Sequence, residues 1–184
     1  FGASKELAVA KQRLLVNKDG GANNIAEVEK IIQENPSDVK NYLYLSGVLL
    51  DKNKKEAALV LLQKAKVLEP DNFEIDLAMA DVLQAQNKNE LAIAALQSAF
   101  ANNEMPVEGK IDIISKMLLK FKNKTIAKDA TALVELAIKT HPNDMKLTLL
   151  YGDVLYQQGN LSAASTQYLT LLKASPQLYI AWEK

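Results

Sequence analysis

The side chains best suited to chemistry are few, and none stands in a pattern that an active site requires. His141 is the only histidine and there is no cysteine, so the sequence offers neither a His–Glu zinc motif nor a thiolate metal site. It also has no glycine-rich phosphate loop and no nucleophile elbow, and the Gly20–Gly21 pair is explained better as a helix breaker. We therefore expect a chain that is not an enzyme and that has no metal and no cofactor.

Charge and composition exclude several classes of partner. The 184 residues carry 22 basic and 22 acidic side chains, so no net charge attracts nucleic acid or an anionic membrane. Arg13 is the only arginine, whereas bidentate recognition of phosphate and guanine depends on the guanidinium fork. The longest apolar run, residues 43–50, is too short to span a bilayer. We expect a protein or peptide partner, no nucleic acid and no membrane insertion.

The compartment is left open by the sequence. Lysine, asparagine and isoleucine are abundant while arginine is nearly missing, which favours a bacterial source with an A+T-rich genome. No signal peptide is visible, but the chain starts at Phe1 rather than at a methionine, which is compatible with a cleaved leader or a trimmed chain. A periplasmic or cell-envelope location is therefore as compatible with the sequence as a cytoplasmic one. The oligomeric state is open as well.

The elements that carry these side chains repeat along the chain. Four prolines are separated by 34, 72 and 34 residues, and 72 is two periods of 34 plus four: Pro36, Pro70, Pro142 and Pro176. Small residues recur in the same register, in one column of four alanines and a second column of three: Ala58, Ala92, Ala130 and Ala164, then Ala65, Ala99 and Ala137. A fixed period of this length predicts a stack of copies of one small unit.

This register resembles the tetratricopeptide repeat (TPR) family, whose unit is a helix–turn–helix of 34 residues. The closest copy has Tyr42, Leu45 followed by Ser46, and Pro70 at the spacing of the family, and Trp182 stands where the family often has tryptophan. The resemblance covers nearly the whole chain, with copies at 5–38, 39–72, 73–106, 111–144 and 145–178 and a partial copy at 179–184. It implies an all-α fold: an α-solenoid of about five stacked units in a right-handed superhelix, with the start of a sixth.

Local signals agree with two helices per copy. Each recurring proline is expected to stop the second helix, and Asp or Asn residues after it are expected to cap the next one. Polar turns containing Asn and Gly are expected between the two helices. His141 directly precedes Pro142 and is expected at a helix end, where it favours the helix dipole.

Four extra residues interrupt the period between the third and fourth copies, around residues 102–109. We expect a longer loop there, since insertions in repeat proteins usually fall in loops. The alternative is a change of superhelical pitch or a contact at the edge of a groove. The partial sixth copy also favours a chain that continues in a longer repeat protein.

The resemblance implies a concave groove, lined by the first helices of successive copies, that binds a peptide segment. The columns not used for packing predict an apolar floor with carboxylates set into it, suited to an apolar or amphipathic segment with one or two basic residues. The predicted groove residues are Leu43, Gly47, Leu50, Asp51, Leu77, Asp81, Gln84, Leu119, Lys122, Leu149, Asp153 and Tyr156. For any one of these leucines, contact with the neighbouring repeat is an equally good interpretation.

Two further interpretations remain beside the peptide-binding scaffold. The chain could be a regulatory or assembly segment of a larger protein whose catalytic or anchoring part lies elsewhere, or it could be a self-association module. Groove copies that hold the C-terminal carboxylate of a chaperone use lysine and asparagine, whereas the matching positions here are Leu43, Gly47 and Ala78. Recognition of that type of tail is therefore not expected.

Overall fold

The structure, a computed structural model, describes residues 22–119 and 124–177, and these two ranges contain helices and turns without a strand. The predictions for Arg13, Gly20–Gly21, Lys122 and the partial sixth copy concern residues outside these ranges. The helices are α1 (Ala22–Glu34), α2 (Val39–Asp51), α3 (Lys55–Leu68), α4 (Phe73–Ala85), α5 (Asn89–Ala101), α6 (Val107–Leu118), α7 (Lys124–Thr140), α8 (Met145–Gln157) and α9 (Leu161–Ala174). The fold class is all-α helical repeat, as predicted.

The recurring prolines lie where the period placed them. Helices α1, α3, α7 and α9 each end two residues before one of the four prolines. Proline has no N–H to donate and restricts the residue before it, so the helix cannot continue through this position. The predicted helix stops are confirmed.

The turns inside a copy use a left-handed residue at one shared position. Asn53, Asn87 and Gly159 have φ angles of 59°, 60° and 78°. In each turn the next N–H reaches back to a carbonyl five residues earlier, as in the bond from Lys54 N to Leu49 O at 2.8 Å. Asn and Gly adopt this backbone conformation most readily, and the predicted turn chemistry is confirmed.

Side-chain caps start the first helices of three copies. Asp38, Asn72 and Asp144 accept hydrogen bonds from backbone N–H groups two or three residues further on, at 3.2, 2.9 and 3.0 Å. Each satisfies a donor that the first turn leaves unpaired. Helix α6 is different, because Pro106 occupies the N-cap position and makes no side-chain cap.

The chain divides into two compact units at Ala92 and Ile93. In the first unit α2 packs against α1, α3 and α4. One core cluster gathers residues of α2, α3 and α4, namely Leu45, Leu49, Ala58, Leu62 and Val82. A second cluster gathers Val39, Tyr42, Ala65 and Ile75. The buried alanines allow the close approach of the two helices of a copy.

The second unit contains α6, α7, α8 and α9, with α8 packed against the other three. Ala130, Ala137 and Ala164, which belong to the alanine columns, are at most 1% exposed here. Larger side chains such as Ile114 and Leu133 fill the remaining core. The interpretation of these columns as packing positions is confirmed.

The predicted position of the four-residue insertion is wrong. Helix α6 begins at Val107, four residues before Ile111 and on the same 34-residue spacing as the starts of α2 and α4, and only five residues, 102–106, separate it from α5. The extra residues do not lengthen α6, which has 12 residues where α2, α4 and α8 have 13; they fall between the start of α6 and the end of α7, which has 17. The apolar side chain of Met105 is buried just before α6 and anchors its start. At the surface, Lys146 Nζ on α8 lies 2.8 Å from Glu108 Oε1 in the first turn of α6.

Lys110 lies at the end of the first turn of α6, with its side chain fully buried. Its Nζ donates to the carbonyl oxygens of Phe100 and Asn102 at 2.9 and 3.1 Å and to Thr140 Oγ1 at 2.7 Å. Burial lowers the pKa of this amine from 10.5 to about 8. The lysine thus satisfies carbonyls at the end of α5 and joins them to the end of α7.

Candidate peptide-binding surfaces

Seven predicted groove residues lie on two neighbouring helices of the first unit. We name this the first surface: Leu43, Gly47, Leu50 and Asp51 on α2, with Leu77, Asp81 and Gln84 on α4. Helices α2 and α4 pack directly against each other. Residues three and four apart share one side of a helix, so each row lies along one side of its helix.

The first surface has a half-buried apolar floor and an exposed polar rim. Leu43 packs against both core clusters of the first unit and Leu50 packs against one of them, so these leucines also support the fold. Leu77 is half-buried. The exposed members of the surface are Gly47, Asp51, Asp81 and Gln84.

Gly47 leaves an open place in the middle of α2. A Cβ atom built on it would have no neighbour within 4 Å, and the residue is exposed. Packing inside the unit therefore does not demand a glycine here. The missing side chain leaves the helix backbone accessible at this point.

The second unit holds the remaining predicted residues that the structure describes. We name Leu119, Leu149, Asp153 and Tyr156 the second surface; Lys122 lies outside the described residues. Because of the register change in α6, Leu119 is the C-cap residue rather than an interior residue, and its side chain is 87% exposed. Tyr156 is 56% exposed near the end of α8, while Leu149 packs against the cluster of Leu155, Ala164 and Tyr168.

Asp153 is held in place by the second helix of its own copy. Tyr168 Oη donates to Asp153 Oδ1 at 2.8 Å. The ring passes over Gly152 so closely that a built Cβ would lie 2.3 Å from Tyr168 Cε1. Burial and the Asp153 carboxylate both raise the pKa of Tyr168, so its hydroxyl remains a donor. The carboxylate therefore has a defined orientation in the second surface.

A recess between α7 and α8 was not among the predicted sites. It has a volume of about 580 Å³ and is lined by Ala127, Lys128, Thr131, Ala132, Glu135, Gln157 and Gln158. None of these side chains is among the predicted groove residues. A signal was available, because Lys128 and Glu135 are seven residues apart on one helix with Thr131 and Ala132 between them.

A buried ion pair in the first unit was missed for a similar reason. Lys66 Nζ on α3 lies 2.7 Å from Asp76 Oδ1 on α4, and the Asp76 side chain is 8% exposed. In the sequence, the scattered acidic and lysine side chains indicate only solvent-exposed helix faces. Lys66 and Asp76 pair because α3 and α4 are in contact, and the pattern within a single helix does not predict that contact.

Metal binding and membrane crossing find no support in the described ranges. No group of three or more His, Asp or Glu side chains there is arranged to hold a metal ion. Among the helices described, none has both the length and the apolar character needed to cross a membrane. His141 follows the last residue of α7, the helix end at which it was predicted.

Residues 127–179, which cover α8, α9 and most of α7, match the family described as tetratricopeptide repeat. This part of the chain has the tetratricopeptide repeat (TPR) pattern. No curated protein matches it in sequence.

Solved structures of TPR proteins share the fold. A crystal structure of MamA is 18% identical with a TM-score of 0.55, over 94% of this chain and 92% of that one. A TPR protein from Parabacteroides merdae ATCC 43184 is 15% identical with a TM-score of 0.56, over 98% and 70%. YrrB, described as a TPR protein with an unusual peptide-binding site, is 21% identical with a TM-score of 0.51, over 84% and 77%.

Within the TPR pattern, the two surfaces occupy first helices and the recess does not. The first surface lies on α2 and α4, and the second on α8 and the end of α6. The recess instead combines the second helix of one copy, α7, with the end of the next first helix, α8. These are different places on the repeat and call for separate tests.

Proposed function

We propose that this protein is a protein-interaction scaffold whose first helices bind a peptide segment of a partner. The observation that carries the proposal is the first surface, where half-buried leucines lie beside exposed carboxylates on two helices in contact. An amphipathic segment suits such a surface, because its apolar side chains cover the leucines and its basic side chains meet the carboxylates. The proposed role is binding rather than catalysis.

The proposed ligand carries one or two basic residues. Asp51 and Asp81 are both exposed on the first surface, and Asp153 has a fixed orientation on the second surface through Tyr168. Opposite charge on a ligand speeds its encounter and selects its register. The open place at Gly47 favours a ligand backbone lying close to α2.

Site-specific photocrosslinking tests the location of binding. A photoreactive residue is placed at Gln84, which is exposed on the first surface, and in a matched protein at Gln63, which is exposed on α3 outside it. Both proteins are irradiated in lysate of the native host, and crosslinked peptides are identified by mass spectrometry. We expect the Gln84 protein to capture a discrete segment with apolar and basic residues that the Gln63 protein does not capture.

A synthetic copy of the captured segment then gives an affinity for wild type and variants. The double variant Leu77→Glu/Asp81→Lys is expected to lose at least roughly tenfold in affinity, since it places charge on the floor and reverses charge on the rim. The control Val67→Glu changes an exposed apolar residue of α3 that lies off the surface. Equal affinity in all three proteins, or equal capture at Gln84 and Gln63, would overturn the proposal for this surface.

A further inference from the structure

The recess between α7 and α8 has the arrangement of a small recognition site. Its volume of about 580 Å³ falls within the range of pockets that hold small ligands or a few residues of peptide. The methyl groups of Ala127 and Ala132 supply an apolar part of its lining. Polar side chains of both helices supply the rest.

Opposite charges stand at the two ends of the α7 wall. Lys128 and Glu135 are seven residues apart, which places them on one side of the helix with about 10.5 Å of helical rise between them. Neither forms an ion pair with another side chain in residues 22–119 or 124–177. The wall therefore presents a cation and an anion at a fixed separation.

Hydrogen bonds from α8 and its C-cap hold the wall in this arrangement. Tyr151 Oη donates to Glu135 Oε1 at 3.0 Å, and Gln158 Nε2 donates to Thr131 Oγ1. Burial, and second the Glu135 carboxylate, raise the pKa of Tyr151, so the hydroxyl stays a neutral donor. Gln157 adds an exposed amide at the rim, a group suited to bonding with a peptide backbone.

We propose that this recess binds an extended peptide segment with an acidic and a basic side chain three residues apart. In a polyproline II conformation, residues i and i+3 lie on the same side and about 9.3 Å apart, close to the separation on α7. The acidic side chain meets Lys128, the basic one meets Glu135, and two small residues between them cover the alanines. In a helical ligand, side chains three or four residues apart are separated by only about 4.5–6 Å of rise, well short of the separation on α7.

The test uses the whole chain and short peptides of defined charge, followed by chemical-shift changes of backbone amides in NMR spectra. The probes are acetyl-Glu-Ala-Ala-Lys-amide, its doubly basic relative acetyl-Lys-Ala-Ala-Lys-amide and the neutral acetyl-Gln-Ala-Ala-Gln-amide. We expect saturable shifts at Ala127, Thr131 and Gln158 with the first probe, and weaker effects with the other two.

Charge reversal separates recognition from chance contact. The variant Lys128→Glu is expected to bind the first probe roughly threefold to tenfold more weakly, and to prefer the doubly basic probe, because each exposed ion pair contributes modestly. The control Lys139→Glu alters an exposed lysine near the end of the same helix and is expected to leave both affinities unchanged.

Two results would overturn the proposal: no saturable shifts around the recess, or a preference for the first probe that persists in the Lys128→Glu variant. Shifts confined to α2 and α4 would also refute the recess. That result would leave the proposal for the first surface unaffected, because the two proposals are independent.

Discussion

Replacing Lys110 with methionine removes a buried ammonium group while keeping most of the side chain. The wild-type Nζ donates to two backbone carbonyls, those of Phe100 and Asn102, and to the Thr140 hydroxyl. The side chain is fully buried, so the carbonyls cannot simply exchange this donor for bulk water. We expect the Lys110→Met variant to fold with lower stability.

The size of the loss follows from two opposing effects. Two carbonyls and a hydroxyl each lose a hydrogen bond from a charged donor, which contributes about 1.5–3 kcal/mol where nothing replaces it, while Phe100 O keeps a bond from Thr140 Oγ1 at 3.4 Å. Methionine also relieves the desolvation of the charge, which lowers the pKa of Lys110 from 10.5 to about 8. At 1.36 kcal/mol for each pH unit, that relief is at most about 3.4 kcal/mol, and the three acceptors reduce it. A net loss of about 2 kcal/mol is expected at pH 7.

The pH dependence gives a second, independent signature. The folded chain binds the Lys110 proton less tightly than the unfolded chain, so between pH 8 and 10.5 the unfolded state holds more protons. The free energy of unfolding of the wild type must therefore rise with pH through this range. From pH 7 to 9.5 we expect a rise of about 2 kcal/mol, relative to the methionine variant, which lacks the titrating group.

Urea denaturation followed by circular dichroism at pH 7 and 9.5 measures both quantities. The matched control is Lys116→Met, which removes an exposed lysine of the same helix that pairs with Asp112. Its effect should stay below about 0.5 kcal/mol, as is usual for an exposed i,i+4 pair. If the Lys110 and Lys116 variants unfold alike at pH 7, the assigned role of the buried ammonium is wrong. If the difference between wild type and the Lys110 variant shrinks as pH rises, the sign of the linkage is wrong.

Three smaller perturbations test the packing of each unit, with the free energy of unfolding as the measured quantity. Gly152→Ala should destabilise by about 2 kcal/mol because the new Cβ would lie 2.3 Å from the Tyr168 ring; no loss would show that the ring moves freely. Gly47→Ala should instead stabilise by about 0.5–1 kcal/mol, since that site is open and helical, and a loss would reveal a hidden contact. Lys66→Met should cost about 1–2 kcal/mol by removing the ion pair with Asp76, whose side chain is 8% exposed; a change below about 0.5 kcal/mol would refute this.

Much of the fold was predictable because its determinants are local. A proline ends a helix, an aspartate or asparagine caps the next, and a left-handed asparagine or glycine turns the chain, all within a few residues of the feature they set. The alanine columns added the one long-range fact needed, the close approach of paired helices. Periodicity repeated these local signals, so each copy supported the interpretation of the others.

The position of the insertion was predicted wrongly because the prolines do not locate it. Glu104 stands where the proline of the third copy belongs, so the four extra residues could lie anywhere between Pro70 and Pro142. The structure keeps the 34-residue spacing up to the start of α6, and the burial of Met105 and Lys110, which depends on the ends of α5 and α7, fixes that start. A lysine in sequence suggests solvent, whereas here its Nζ donates to two carbonyls and a hydroxyl.

The candidate surfaces were predictable as rows of residues but not as chemical environments. Asp153 shares its column of the repeat with Gly47 and Asp81, but the residue that the second helix places behind Asp153 is different. In the last copy Tyr168 reaches Asp153 because Gly152 leaves room for its ring. In the copy that contains Gly47, the position of Tyr168 is taken by Leu62, which has no polar atom and lies wholly in the core. The second helix therefore decides whether a carboxylate on the first helix is fixed from behind, so the proposed ligand would be selected partly by residues it never touches.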